Sequence, residues 1–236
     1  VRARLRDFEA GGVELGEATL ELVRALYDAE IHFTDQQLGR LLDGLERAGV
    51  VSDTIVVVVS DHGEGLGQHR RIQHGTNLHD ELTRALLLIR APGTAPRRVT
   101  TVARTIDVAP TVLDLLGIPS VPGFQGRSLV AGAVEPRLAY ASARAKPGEE
   151  LRWQALRSER FTLIEDEATG DVALYDRAAD PGETENVADR FPDELAALRA
   201  ALRGVVAETR RHAGVAEPVR LPAESEAELR ALGYIE

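Results

Sequence analysis

The chain has 236 residues, enough for one large domain or two small ones, and its 44% hydrophobic and 28% charged content is that of a folded protein, not a disordered one. Its net charge of −10, from 28 basic and 38 acidic residues, comes with basic residues scattered singly or in pairs, so no stripe is available for nucleic acid. The absence of Cys removes disulfides and thiolate metal sites, and no stretch reaches the roughly 20 apolar residues that span a bilayer. Met is absent too, from which the sequence is expected to be part of something longer.

In chain order, apolar residues recur at helical spacing from Leu20 through Val23, Tyr27, Ile31, Leu38, Leu41, Leu42 and Leu45. The pattern predicts one long or two abutting helices over 17–48, ended by a left-handed Gly49. Thr54-Ile-Val-Val-Val-Val-Ser60 is an unbroken β-branched run, expected to be a strand buried on both faces of a parallel sheet. Ala85-Leu-Leu-Leu-Ile-Arg90 reads as a second central strand and 98–104 as a third, followed by a short helix at 108–116 with Asp107 as its N-cap.

The Gly-, Pro- and Ala-rich stretch 120–148 reads as surface loop and joint. Beyond it, 153–156, 161–164 and 171–175 are short alternating segments of a small antiparallel sheet, the last two joined by a hairpin at 166–170. An amphipathic helix over 193–212 carries Leu195, Leu198, Leu202 and Val205 or Val206 on one face. The expected class is α/β: a mostly parallel sheet flanked by helices in 1–135, then a small antiparallel sheet plus helix in 136–236.

Chemistry concentrates between Val59 and His79, where four of the six histidines lie. Asp61 and His62 close the Val-rich strand, at the sheet edge where open α/β folds place ligands. Successive strand side chains point to opposite faces, so both can grip one ion only if the backbone leaves strand geometry, which Gly63 and Gly65 permit. A carboxylate oxygen with an imidazole nitrogen suits several divalent metals. The plainer alternative is a helix cap and its neighbour at a strand end. Ordinary surface or supporting roles are expected for His69 and His79, solvated surface for Arg70 and Arg71, and a simple turn for 180–183.

Ser60-Asp-His-Gly-Glu64 with Gly67-Gln-His69 resembles the sulfatase family of the alkaline phosphatase superfamily. So do Tyr27-Asp-Ala-Glu-Ile31, Asp107-Val-Ala-Pro-Thr111, Gln125-Gly-Arg-Ser-Leu129, Asp180-Pro-Gly-Glu-Thr-Glu-Asn186 and Leu229-Arg-Ala-Leu-Gly-Tyr-Ile235, in order along nearly the whole chain. The resemblance implies the carboxyl-terminal portion of a sulfuric ester hydrolase. In such an enzyme a formylglycine acts on a small-molecule or carbohydrate sulfate ester beside a divalent ion, calcium first, with Mn2+ or Mg2+ as alternatives. It implies Asp61 and His62 as the second pair of metal ligands, and His74 near a position that contacts sulfate or passes a proton. The family's first metal pair and its nucleophile motif are absent here; Thr94-Ala-Pro-Arg-Arg98 imitates the latter's spacing only by coincidence. The chain is therefore expected to need an upstream half for turnover, and similar proteins are commonly periplasmic or extracellular. Phosphodiester or phosphonate monoester hydrolysis, and a non-catalytic binding module on a decayed fold, are the competing expectations.

Overall fold

A computed structural model describes residues 7–9, 11–75, 77–130, 137–144 and 151–212, with positions 222, 225, 226, 229 and 230 of the last segment. The first long element is helix α1, Glu17–Arg47, one continuous helix. It ends as its sequence dictates: Gly49 takes φ +70°, and the Val50 amide returns to the Leu45 carbonyl. No α1 residue is fully buried; Leu22, Leu26, Ile31, Phe33 and Leu41 are more than half exposed.

Strand β1, Val56–Val59, forms where the Val run predicts it. Among the described residues it pairs antiparallel with one strand, with Val56 opposite Arg90 and Val59 opposite Leu87, and Val59 and Leu88 are exposed. The ladder seen is thus not parallel, and burial on both faces is not reached within it. A β-branched run specifies extended backbone, but neighbour direction is set by partners elsewhere. Two short strands, β2 (Gly65–Leu66) and β3 (Ile72–Gln73), pair in a tight hairpin. A single helical turn follows, α2 (Asp80–Thr83), and then β4 (Leu87–Arg90), the partner of β1.

Residues 98–104 form no strand; they run exposed or half-exposed, without a ladder partner among the described residues. Helix α3, Val108–Leu115, has the expected length, but Asp107 does not cap it. The Asp107 side chain is fully buried and accepts from the Arg104 and Arg127 amides (2.9 and 2.8 Å) and from the Arg104 and Arg137 guanidiniums (3.1 and 2.9 Å). It ties the 125–130 stretch to α3, helped by Thr111 Oγ1, which accepts from the Leu129 amide at 3.0 Å. Such a carboxylate is tolerated inside only because every oxygen is bonded and paired with cations.

The expected boundary at 135/136 and most of the Leu229–Ile235 match fall outside the described residues. The following sheet has four strands, β5 (Ala139–Arg144), β6 (Leu151–Arg157), β7 (Phe161–Asp166) and β8 (Val172–Asp176), antiparallel in sequence order. Strand β5 lies in the stretch read as loop. Its Ala-Tyr-Ala-Ser-Ala sequence has too little apolar contrast to announce a strand, and the β6 ladder organises it. The turn into β8 is closed by Gly170 at φ +76°. Helix α4, Pro192–His212, lays Leu195, Leu198, Leu202, Val205 and Val206 on one sheet face over Leu156, Phe161, Leu163 and Leu174. The opposite face, with Ala155, Ile164, Trp153 and Tyr175, packs against Leu78 just before α2. That contact brings the sheet against the histidine-rich loop.

Candidate active site

The loop begins where Ser60 pins the strand end: its amide donates to the Leu86 carbonyl at 3.1 Å and its hydroxyl accepts from the Leu86 amide at 2.8 Å. The chain then turns under α2. The Gly63 amide donates to the Leu82 carbonyl, and a Cβ on Gly63 would lie 2.1 Å from the Glu81 carbonyl oxygen. Only glycine fits. Gly65 is confined too: a Cβ there would lie 2.8 Å from the Gln73 carbonyl oxygen.

This turn takes Asp61 and His62 out of strand geometry. His62 Nδ1 lies 2.7 Å from the Gly63 carbonyl oxygen, an acceptor only, so Nδ1 donates and Nε2 is the ring nitrogen left for another partner. Nε2 stands 3.6 Å from Asp61 Oδ2, while Asp61 Oδ1 accepts from the His62 amide. The His74 ring comes within 4.2 Å of the His62 ring, and its Nδ1 is held at 3.1 Å by Glu64 Oε2. Glu64 Oε1 is buried without a hydrogen-bond partner among the described residues. The structure therefore gathers Asp61, His62 and His74 into one partly open patch. Sequence reading passed over Glu64, although its position two residues after His62 was in plain view.

A second histidine pair lies beside it, more deeply set. His69 Nδ1 is 2.8 Å from Glu81 Oε1, and its Nε2 is 2.9 Å from the Glu183 carbonyl oxygen. A carboxylate and a carbonyl only accept, so both ring nitrogens are placed to donate and the contacts favour the imidazolium. The Glu81 bond is the main cause raising the His69 pKa, against burial and with help from the Glu183 carbonyl. For Glu81, burial is the largest influence and pushes upward, yet the bond and charge of His69 hold its carboxyl below the ordinary value.

His79 stacks on His69 at 3.7 Å with 14° between the planes. Burial first, and then the positive His69, push its pKa down to about 4, so it is neutral. His69, His79 and Glu81 place three potential ligand atoms within 4.8 Å of one another. A shared metal would need lone pairs that converge, whereas lone pairs in two stacked rings lie in nearly parallel planes. The cluster is built for a proton.

Glu183 anchors this pair. It is 1% exposed, accepts from the Asp80 amide at 2.8 Å and pairs with Arg157 at 3.2 Å, and Arg157 also pairs with Asp80. The 180–183 segment is a turn, as expected, but its last residue holds the sheet to the loop. Arg70 is likewise no idle surface group: it binds the Phe8 and Val13 carbonyls and Glu14, fastening the amino-terminal segment. Among the described residues, the non-glycine positive φ angles are at His69, Arg70, Gln73 and Glu183. Three lie in the loop and the fourth is its anchor, as expected where surrounding contacts hold strained backbone at a functional site.

Comparison with known proteins adds the following. The Sulfatase family model matches residues 7–118. Arylsulfatase K of Bos taurus is 28% identical over 207 residues, 80% of this chain and 38% of that protein. A choline-sulfatase of Rhizobium meliloti is 32% identical, over 79% of this chain and 38% of its own length. A phosphonate monoester hydrolase from Silicibacter pomeroyi superposes with a TM-score of 0.68 at 28% identity, covering 85% of this chain and 43% of that one. A protein solved with its substrate D-glucosamine-2-N,6-O-disulfate gives 0.66 at 28% identity, covering 75% of this chain and 39% of that one. The chain spans about two-fifths of the length of the curated relatives it matches.

Proposed function

Because the chain belongs to the sulfatase family, we propose that it supplies part of the active site of a metal-dependent sulfuric ester hydrolase, with Asp61 and His62 as two cation ligands and His74 at the sulfate. The observation that carries this reading is the pair of potential ligand atoms, Asp61 Oδ2 and His62 Nε2, 3.6 Å apart on an open patch. That separation suits two atoms bound to one ion; a carboxylate with an imidazole suits several divalent metals, and calcium, with manganese or magnesium as alternatives, is the ion the family resemblance implies. When bound, the ion would neutralise negative charge on the sulfate oxygens and on the attacking group.

The chain's own residues do the rest. The Gly63 carbonyl fixes the His62 tautomer and ring, which is how a supporting hydrogen bond orients a ligating imidazole. Glu64 holds His74 by Nδ1, leaving Nε2 to bind a sulfate oxygen or deliver a proton to the leaving alkoxide. On this reading turnover requires further ligands and a formylglycine nucleophile, whose motif this sequence does not carry. A sulfate ester of a carbohydrate or small molecule is the proposed substrate, supported by the relatives that act on choline sulfate and bind a disulfated glucosamine.

The test is 4-nitrophenyl sulfate hydrolysis, with metal content, in the full-length protein and in its Asp61→Ala and His62→Ala variants. A loss of kcat/KM of about 100-fold or more with metal depletion is expected; a near-wild-type rate with full metal content rejects the reading. The likeness to phosphonate monoester hydrolases favours phosphonate monoester hydrolysis as the second reading. Comparing kcat/KM for phenyl phosphonate and for the sulfate ester decides between them. A non-catalytic module would take up no metal in the full-length protein.

A further inference from the structure

The stacked histidines can hold one proton more easily than two. His69 lies between the Glu81 carboxylate and the Glu183 carbonyl, contacts that favour its charged form. His79 lies flat on it at 3.7 Å, with Nε2 facing the Tyr175 hydroxyl at 3.3 Å and Nδ1 buried without a partner among the described residues. A second proton on His79 makes both of its nitrogens donors. The Tyr175 oxygen can accept from Nε2, but Nδ1, closed to solvent, meets neither an acceptor among the described residues nor water.

The surrounding charges add to that obstacle. Arg71 from the loop and Arg157 from β6 oppose a cation at His79, as does His69 itself. Glu81 on α2 favours one but is already bonded to His69, and the Glu183 carboxylate is taken by Arg157 and the Asp80 amide. The loop is also strained, with positive φ at His69, Arg70 and Gln73, so contacts to the sheet must hold it. Room to move is present: a cavity of about 360 Å³ between the loop and the sheet face opposite α4 is lined among others by both rings, Asn77 and the carboxylates of Asp166 and Asp171.

We propose that His69 and His79 form an acid-released latch: a proton taken up by His79 drives its ring out of the stack and frees the 61–83 loop from the four-stranded sheet, while that sheet and α4 stay folded. Its bearing on hydrolysis rests on the reading above, because Asp61, His62 and His74 ride on this loop; the latch itself does not. Seated, His79 takes a proton with a pKa of about 4, and a released histidine does so at 6.5, so acid favours the released form. His69, raised above 6.5, is charged in both forms over most of the range from pH 6.5 to about pH 5, and Glu81, lowered from 4.5, is ionised in both. His79 therefore sets the slope, and the released population is expected to rise about 10-fold over that range.

Amide hydrogen exchange of the full-length protein at pH 6.5 and at about pH 5, corrected for the intrinsic exchange rate, reads this directly. Protection across 61–83 is expected to fall about 10-fold, with no fall at Leu156, Leu163 and Leu174 in the sheet core. His79→Phe keeps a flat ring that takes no proton, and leaves His62 and His74 to titrate, and any bound ion to dissociate, as before. It is expected to abolish the difference between the two pH values. Should that variant fail to fold, His79→Asn decides by the same measure. Equal loop protection at both pH values, a fall shared by the sheet core, or a fall that persists in a folded position-79 variant overturns the proposal. Absence of sulfatase activity, with the exchange result positive, would sink only the hydrolase reading.

Discussion

The two histidine pairs sit on one short loop and do opposite work. His62 and His74 tilt toward each other at the surface, each with one nitrogen tied down and the other open. His69 and His79 are stacked and set deeper, with both His69 nitrogens committed to Glu81 and Glu183. What separates them is the partner of the second nitrogen. An open nitrogen can bind a metal through its lone pair or a substrate oxygen through its N–H; a ring between two acceptors is drawn toward a structural cation. The buried pair thereby holds the strained loop on which the exposed pair is displayed.

The difference should emerge most strongly when the anchor is removed. Glu183→Ala leaves Arg157 short of a buried partner and the Asp80 amide without its acceptor, and is expected to cost about 3–5 kcal/mol, read from denaturant midpoints. Hydrogen exchange should rise across 61–83 in that variant; unchanged protection there would show that the loop does not depend on the buried pair.

Gly63→Ala attacks the exposed pair through its backbone. The added methyl meets the Glu81 carbonyl, so a loss of about 1–3 kcal/mol is expected together with weakened metal uptake, measured by melting and by metal analysis.

Acidity should distinguish the pairs next. His79 is held neutral in the fold with a pKa of about 4 against 6.5 unfolded, so its contribution is complete above about pH 6.5 and is lost as pH falls toward 4. Glu81, depressed, adds a loss in the same direction below its unfolded value of 4.5. His69, raised, acts oppositely: its contribution is complete below 6.5 and disappears as pH rises through its folded value. Stability measured against pH should therefore fall on both sides, and His79→Asn should flatten the acid limb. An unaltered acid limb would remove His79 from the account.

The smallest stability effect belongs to Asp61→Ala, whose side chain is 82% exposed. Its melting temperature should stay within about 2 °C of wild type while metal uptake is lost, which is the signature of a ligand and not of a structural group.

Much of this was legible in the residues. Periodicity marked α1 and α4, the Val run marked β1, and glycine placement marked the turns at Gly49 and Gly170, because local backbone preference and one-sided burial act over a few residues. The Ser60-Asp-His-Gly-Glu64 stretch located the patch, and Gly63 and Gly65 foretold its departure from strand geometry. Strand β5 escaped notice because small residues carry no periodic signal, and 98–104 was overread because a short β-branched run forms no ladder without a partner.

What the chain's order could not contain was everything that depends on residues far apart meeting. Asp107 has the composition of a helix cap, yet Arg137, thirty positions on, makes it a buried hub. His69 is drawn toward the imidazolium by Glu81 on one ring nitrogen and by the carbonyl of Glu183, 114 positions away, on the other. The same holds for the antiparallel direction of the β1 ladder and for the cavity behind Asn77. Sequence determines which backbone shapes and which chemical groups are available, since those are local properties; protonation, pairing direction and unpaired donors are set by neighbours, and only the tertiary fold chooses neighbours.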